Sequence, residues 1–81
     1  MTRDLAIEHI RAALAEVLAK NVGPLDEKTN LVTDGVVDSL DLMNFLLQLE
    51  TRIGKRLTAI DENFSDFRVS TLADLVVSEV A

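Results

Sequence analysis

Cysteine, tryptophan and tyrosine are absent from this chain, and there is one proline, three glycines and one histidine. Without Cys the polypeptide can form no disulfide, ligate no zinc through sulfur and perform no thiol chemistry of its own. Any thioester it handles needs a sulfur brought by a cofactor. Positive charge is also scarce, with eight Lys and Arg against fourteen Asp and Glu and a formal charge of −6. No basic cluster is large enough to neutralise a phosphate backbone, which argues against nucleic acid as a partner. Partners that dock by charge are expected to present basic surfaces. Long apolar runs are missing too, and none approaches the roughly 20 residues of a membrane span. The opening Met1-Thr2-Arg3-Asp4 puts charges where a signal peptide needs unbroken apolar residues, so a cytoplasmic location is the expectation.

What remains is an acidic chain of 81 residues, 48% of them hydrophobic. That is enough to fold as one domain, 1–81, with a modest core and little room for an enclosed catalytic pocket. Ile7, Ile10, Leu14, Val17 and Leu18 recur at helical spacing while Glu8, Arg11 and Glu16 point elsewhere, which predicts a first helix over about 3–20. Thr2 is its expected N-cap, and Asn21-Val22-Gly23-Pro24 supplies the residues that stop it. A long loop comes next, over 21–38, with Leu25, Leu31, Val36 and Val37 placed to pack it down. The second helix is expected over about 39–53, ended by Gly54. A short third helix over about 61–66 is less strongly patterned. The last helix is expected over about 71–80, with Ser70 or Thr71 as N-cap and Asp74 as capping-box partner of Thr71. Strand patterns are lacking, so the expected fold is an all-α four-helix bundle with a short third helix and a long loop between the first two helices.

The stretch that carries chemistry is Asp34-Gly35-Val36-Val37-Asp38-Ser39-Leu40-Asp41-Leu42-Met43, in which a turn delivers a serine to the first turn of a helix. Asp38 can cap that helix, with Asp41 as a weak capping-box partner. A helix start also favours anions, so a phosphodiester on Ser39 would sit well there. Ordinary capping is nevertheless the commoner reason for a serine at this place. Ser39 lacks the surroundings of a hydrolytic nucleophile, because His9 lies in the middle of the first helix and the Gly-x-Ser-x-Gly elbow is absent.

The second helix carries more apolar surface than burial requires. Leu42, Phe45, Leu46, Leu49 and Ile53 form one stripe, and Leu40, Met43 and Leu47 form another beginning beside Ser39. Either this helix is central to the bundle or the second stripe awaits a partner. A helical interaction module using this face, with Ser39 only a cap, is therefore one reading, and a small regulatory or enzymatic subunit is a weaker one.

The run Gly35-Val36-Val37-Asp38-Ser39-Leu40, followed by an apolar helix ending in Leu49-Glu50-Thr51-Arg52-Ile53-Gly54, resembles the acyl carrier protein family, whose Asp-Ser-Leu motif marks the serine that receives 4′-phosphopantetheine. The resemblance extends to Asn30-Leu31, Asn63-Phe64 and Ser70-Thr71-Leu72. It implies a non-enzymatic, monomeric carrier loaded at Ser39 by a phosphopantetheinyl transferase using coenzyme A. The arm's thiol would then hold cargo as a thioester, which fits the missing Cys. Asp38 and Leu40 match the motif flanks, and Leu40, Asp41, Met43, Asn44 and Leu47 would form the surface read by partners. Those partners would include an acyl- or aminoacyl-loading ligase and downstream transferases or synthases. Family members serving fatty acid synthesis usually line this helix with glutamates, whereas Asn44 and Gln48 stand here and Arg52, Lys55 and Arg56 come after them. The departure points to a dedicated pathway, with an unusual acyl, hydroxyacyl or aminoacyl group as cargo.

Other candidates reduce to structure. His9 reads as a solvated helix residue, because metal sites need several converging ligands. Asp61, Glu62 and Asp66 lack the alternating ligands of a calcium loop and read as a solvated face. Phe64 and Phe67 read as core anchors.

Overall fold

The computed structural model describes residues 1–61 and 63–80. Among them the chain forms three helices: α1 (Arg3–Leu18), α2 (Ser39–Ile53) and α3 (Val69–Val80). No strand occurs among these residues, and the one β-type contact is an isolated antiparallel bridge between Asn30 and Arg68. The fold is therefore all-α. The short helix expected over 61–66 is not among the three. Glu62 lies outside the described residues; the Phe64 N–H donates to the Asp61 carbonyl at 3.0 Å. Asp61 Oδ1 accepts from the Asn63 N–H at 2.9 Å, side-chain bonding that competes with helix propagation.

Helix α1 packs against both α2 and α3 and is the centre of the bundle. Its buried face is Ala6, Ile10, Ala13 and Leu14, with Ile7, Val17 and Leu18 at the margins. The stripe is thus rotated from the one the larger residues suggest. Ala6 and Ala13 carry little hydrophobic signal but lie in the middle of that face. From α2 come Phe45 and Leu49, from α3 Val69, Leu72, Ala73 and Val76, and from the loops Leu31, Val37, Leu57 and Phe67. Phe64 meets the Phe67 ring edge-on, with centroids 5.2 Å apart.

The helix ends obey local chemistry. Thr2 caps α1, its Oγ1 accepting from the Leu5 N–H at 3.2 Å. At the other end α1 stops at Leu18, ahead of the Gly23-Pro24 pair, because Ala19 turns left-handed with φ 53°. The Lys20 N–H then reaches back to the Ala15 carbonyl at 3.2 Å, which closes the end without a glycine. Gly54, with φ 69°, ends α2 in the same conformation.

The start of α3 departs from the expected capping box. The helix begins at Val69, and the Val69 and Ser70 N–H groups donate to the carbonyls of Thr29 (2.9 Å) and Glu27 (3.0 Å). Loop backbone does the work of a cap, so neither Ser70 nor Thr71 is needed as one. Thr71 Oγ1 donates instead to Asp66 Oδ2 at 2.9 Å, and Asp74 pairs with Arg3, which also donates through Nε to Glu27 at 2.9 Å. Arg3 thereby ties the start of α1, the long loop and α3 together. Asp66, read from sequence as part of a solvated face, is a structural anchor. Its carboxylate also accepts from Arg68 Nε and Nη2 at 2.8 and 2.7 Å.

Ala19→Gly should raise stability by about 0.5–1 kcal/mol in urea unfolding, because glycine takes the left-handed conformation without a Cβ clash; an unchanged or lower midpoint would contradict the cap. The Arg68 guanidinium, and next the Thr71 hydroxyl, hold the Asp66 carboxyl well below the usual carboxylate range. A folded-state pKa below the unfolded one adds stability at neutral pH that fades as pH falls through about 4 and lower. Asp66→Asn should therefore be less stable than wild type at pH 7, with the gap narrowing in an acid titration monitored by circular dichroism.

Candidate functional site: a serine at the start of a helix

The site depends on how the loop over 21–38 is held. Asn30 and Asp34 bond reciprocally: the Asn30 N–H donates to Asp34 Oδ2 at 3.0 Å and the Asp34 N–H donates to the Asn30 carbonyl at 3.0 Å. Asn30 Oδ1 also accepts from the Val32 and Thr33 N–H groups at 3.0 and 3.1 Å. The chain reverses within this knot, with Gly35 at φ 73°, a left-handed position that favours glycine. Leu31 and Val37 bury on either side, and the Val37 N–H closes back on the Leu31 carbonyl at 3.0 Å. Across the loop, the Leu31 N–H donates to the Phe67 carbonyl at 3.0 Å. Every backbone bond here fixes the position of the next residues, Asp38 and Ser39.

Asp38 is the N-cap of α2, with extended backbone and Oδ1 accepting from the Asp41 N–H at 2.8 Å. The expected capping box is half made. Among the described residues no bond returns from the Asp41 carboxylate to the Asp38 N–H. Ser39 is the first residue of α2 and is exposed. Its N–H and that of Leu40 belong to the first-turn donors that have no intrahelical acceptor, at the positive end of the helix dipole. No side chain among the described residues accepts from its hydroxyl, and His9 lies on α1. The geometry offers an attachment point beside an anion-tolerant helix start rather than an activated nucleophile.

Beyond Ser39 the two apolar stripes of α2 separate as their spacing implies. Phe45 and Leu49 are fully buried, and Leu42, Leu46 and Ile53 pack half-buried against the core. Leu40, Met43 and Leu47 are 73%, 67% and 61% exposed, the three most exposed large apolar residues among those described. Asp41 is half-buried, while Asn44 and Gln48 are exposed beside this stripe. The sequence-predicted residues Asp38, Ser39, Leu40, Asp41, Met43, Asn44 and Leu47 thus lie along one helix, from its cap onward.

Sequence reasoning left the Asn30–Asp34 knot unread. Asp34 registers as a turn former and Asn30 only as part of a resemblance, although an Asn four residues before Asp-Gly is the available signal for such a turn. Glu50 was missed too: its Oε2 accepts from the Leu57 N–H at 2.7 Å and fastens the segment after α2. Phe45, Leu49 and the loop anchors Leu31 and Val37 hold the start of α2 against the core.

An all-helical domain that presents an exposed serine at a capped helix start, beneath an exposed apolar stripe, has the form of a carrier domain. The chain matches the family model for the phosphopantetheine attachment site over residues 8–76, and it belongs to that family. No curated protein and no solved structure gave a significant match. Membership makes this a carrier of covalently attached 4′-phosphopantetheine rather than a catalyst, and a reading of the chain as an interaction module with no covalent group gives way. Carriers of this family meet a phosphopantetheinyl transferase and biosynthetic enzymes.

Asn30→Ala removes the acceptor of two backbone donors, each net bond being worth about 0.5–1.5 kcal/mol. It should lower stability by roughly 1–3 kcal/mol and slow loading of the arm as the helix start loosens. Chemical denaturation and a timed loading assay would show both, and a variant as stable and as quickly loaded as wild type would contradict the knot's role.

Proposed function

We propose that Ser39 is the residue that carries the phosphopantetheine arm. A transferase joins its hydroxyl oxygen to the phosphate of the phosphopantetheine half of coenzyme A; the phosphoanhydride bond to the other half breaks, adenosine 3′,5′-bisphosphate leaves, and the hydroxyl proton is lost. The supporting observation is the exposed Ser39 as first residue of α2, directly after the Asp38 cap and inside the stretch matched to the family. The attached phosphodiester then lies at a helix start whose free donors and dipole favour negative charge. The polypeptide supplies no sulfur from cysteine, so the arm's terminal thiol is the one that holds cargo.

In this reading the cargo is an acyl, hydroxyacyl or aminoacyl group held as a thioester. A cognate ligase loads it, and downstream transferases or synthases take it. The carrier works as a monomer in the cytoplasm. Leu40, Asp41, Met43, Asn44 and Leu47 form the face that these enzymes read, because large apolar side chains left exposed beside an attachment point are the strongest anchors for a partner. Asn44 and Gln48 on that face supply no negative charge, which supports a dedicated pathway over housekeeping fatty acid synthesis.

Loading is tested by incubating the apo protein with coenzyme A and a broad-specificity phosphopantetheinyl transferase and measuring intact mass. Wild type should gain one phosphopantetheine and Ser39→Ala none. A Ser39→Ala protein that gains the arm as wild type does would overturn the assignment.

A further inference from the structure

Between the segment that follows α1 and the turn that delivers Ser39 lies an open depression of about 420 Å³. Leu18, Val22, Leu25 and Val36 give it an apolar lining, each half-buried and packed against the core. Lys20, Asn21 and Asp34 add a polar, exposed rim. Side-chain hydrogen bonds hold both walls. On one side Arg11 Nη1 donates to the Val22 carbonyl at 3.0 Å, while Arg11 Nε and Nη2 bind the Glu8 carboxylate at 3.0 and 2.6 Å. On the other side the Asn30–Asp34 knot fixes Gly35 and Val36.

The rim keeps unused hydrogen-bonding capacity. Asp34 spends Oδ2 on the Asn30 N–H, and its Oδ1 accepts from no donor among the described residues. The Lys20 ammonium joins none of the ion pairs among those residues. Gly23 lines the same depression without a structural need to be glycine. Its φ lies outside the left-handed region, and a Cβ there would meet no atom within 4 Å. What the missing side chain provides is room.

Ser39 is close by. Val36 precedes it by three residues, so their Cα atoms are at most about 11 Å apart. A phosphopantetheine arm runs through about 14 bonds from the serine oxygen to its sulfur, which at about 1.2 Å per bond along an extended chain is a reach of about 17 Å. Its chemistry alternates: a dimethyl-substituted carbon near the phosphate, then methylenes separated by two amides. An apolar floor with a polar rim complements that alternation, because Lys20 can donate to an amide carbonyl and Asp34 Oδ1 can accept from an amide N–H.

We propose that this depression is the resting site of the arm, which folds back from Ser39 past Val36 and lies between the Val22 and Asp34 walls with its thiol at the rim. The inference rests on the carrier reading of Ser39. With the arm on the loop side of its attachment point, the cargo is held in the open beside Lys20 and Asn21 and not inside the bundle, where Phe45, Leu49 and Leu72 are fully buried. Such a placement suits a short polar cargo, since a long alkyl chain gains only from leaving water.

The missing Cys makes the test direct, because the arm's thiol is the only one in the loaded protein. A nitroxide label on that thiol reports its position through broadening of backbone amide NMR signals, with the reduced label as reference. Broadening should be stronger at Lys20, Asn21, Val22 and Leu25 than at Leu40, Met43 and Leu47. Loading without the label should shift the amides of Asn21, Val22, Gly23 and Leu25 relative to the apo protein. Gly23→Phe fills the room beside the wall and should abolish these loading shifts and relieve the broadening, with an unchanged far-ultraviolet circular dichroism spectrum confirming its fold. Broadening strongest along α2 or at Ile60 and Phe64, no loading shifts over 21–25, or a folded Gly23→Phe protein that keeps both signals would overturn the resting site. Failure of wild type to gain an arm from coenzyme A would overturn the carrier reading, and with it this inference; an arm carried on Ser39 whose label broadens other regions overturns the resting site alone.

Discussion

The reciprocal hydrogen bonding of Asn30 and Asp34 is the constraint on which the rest of the structure depends. It reverses the long loop in a few residues, places Leu31 and Val37 in the core on either side, and leaves Asp38 positioned to cap α2. The same loop reaches across to α3, where the Thr29 and Glu27 carbonyls accept the first N–H groups of that helix. One irregular segment therefore determines where two of the helices begin. Long loops in small domains are usually tolerated extensions; this one is fixed by backbone bonds to the start of α3 and to the Phe67 carbonyl just before it.

That arrangement separates the packed core from the exposed face of α2. The core is small and completely apolar, with no buried polar or charged side chain among the described residues. Alanines on α1 let the helix occupy the centre of the bundle. The proposed attachment point, Ser39, and the apolar row of Leu40, Met43 and Leu47 lie exposed outside that core. A carrier needs no enclosed pocket for chemistry, since its partners supply the catalysis. It needs a fixed point for the arm and a face that can be recognised repeatedly.

Much of this was legible in the sequence because it is written in local patterns. The helical spacing of Ile10 and Leu14, the glycine at 54, and the separation of Leu42–Phe45–Leu49 from Leu40–Met43–Leu47 need only periodicity to be read. The motif around Ser39 is likewise contiguous. What stayed hidden depends on contacts that periodicity does not encode: Arg3 with Asp74, Asp66 with Thr71 and Arg68, and loop carbonyls in place of the cap expected from Ser70 or Thr71. Ala6 and Ala13 escaped for a different reason, since a methyl side chain says little about burial until a neighbouring helix lies against it. The short helix expected over 61–66, where Ile60, Phe64 and Phe67 give only a scattered pattern, is not among the three helices of the described residues.

The central claim is that the arm is carried at the residue which the loop delivers to the head of α2. Tandem mass spectrometry of proteolytic peptides from the loaded protein tests it most directly, since fragment ions locate the added group to a single side chain. Phosphopantetheine on Ser39 is the predicted result; finding it on Ser65, Ser70, Ser78 or a threonine instead would contradict the account.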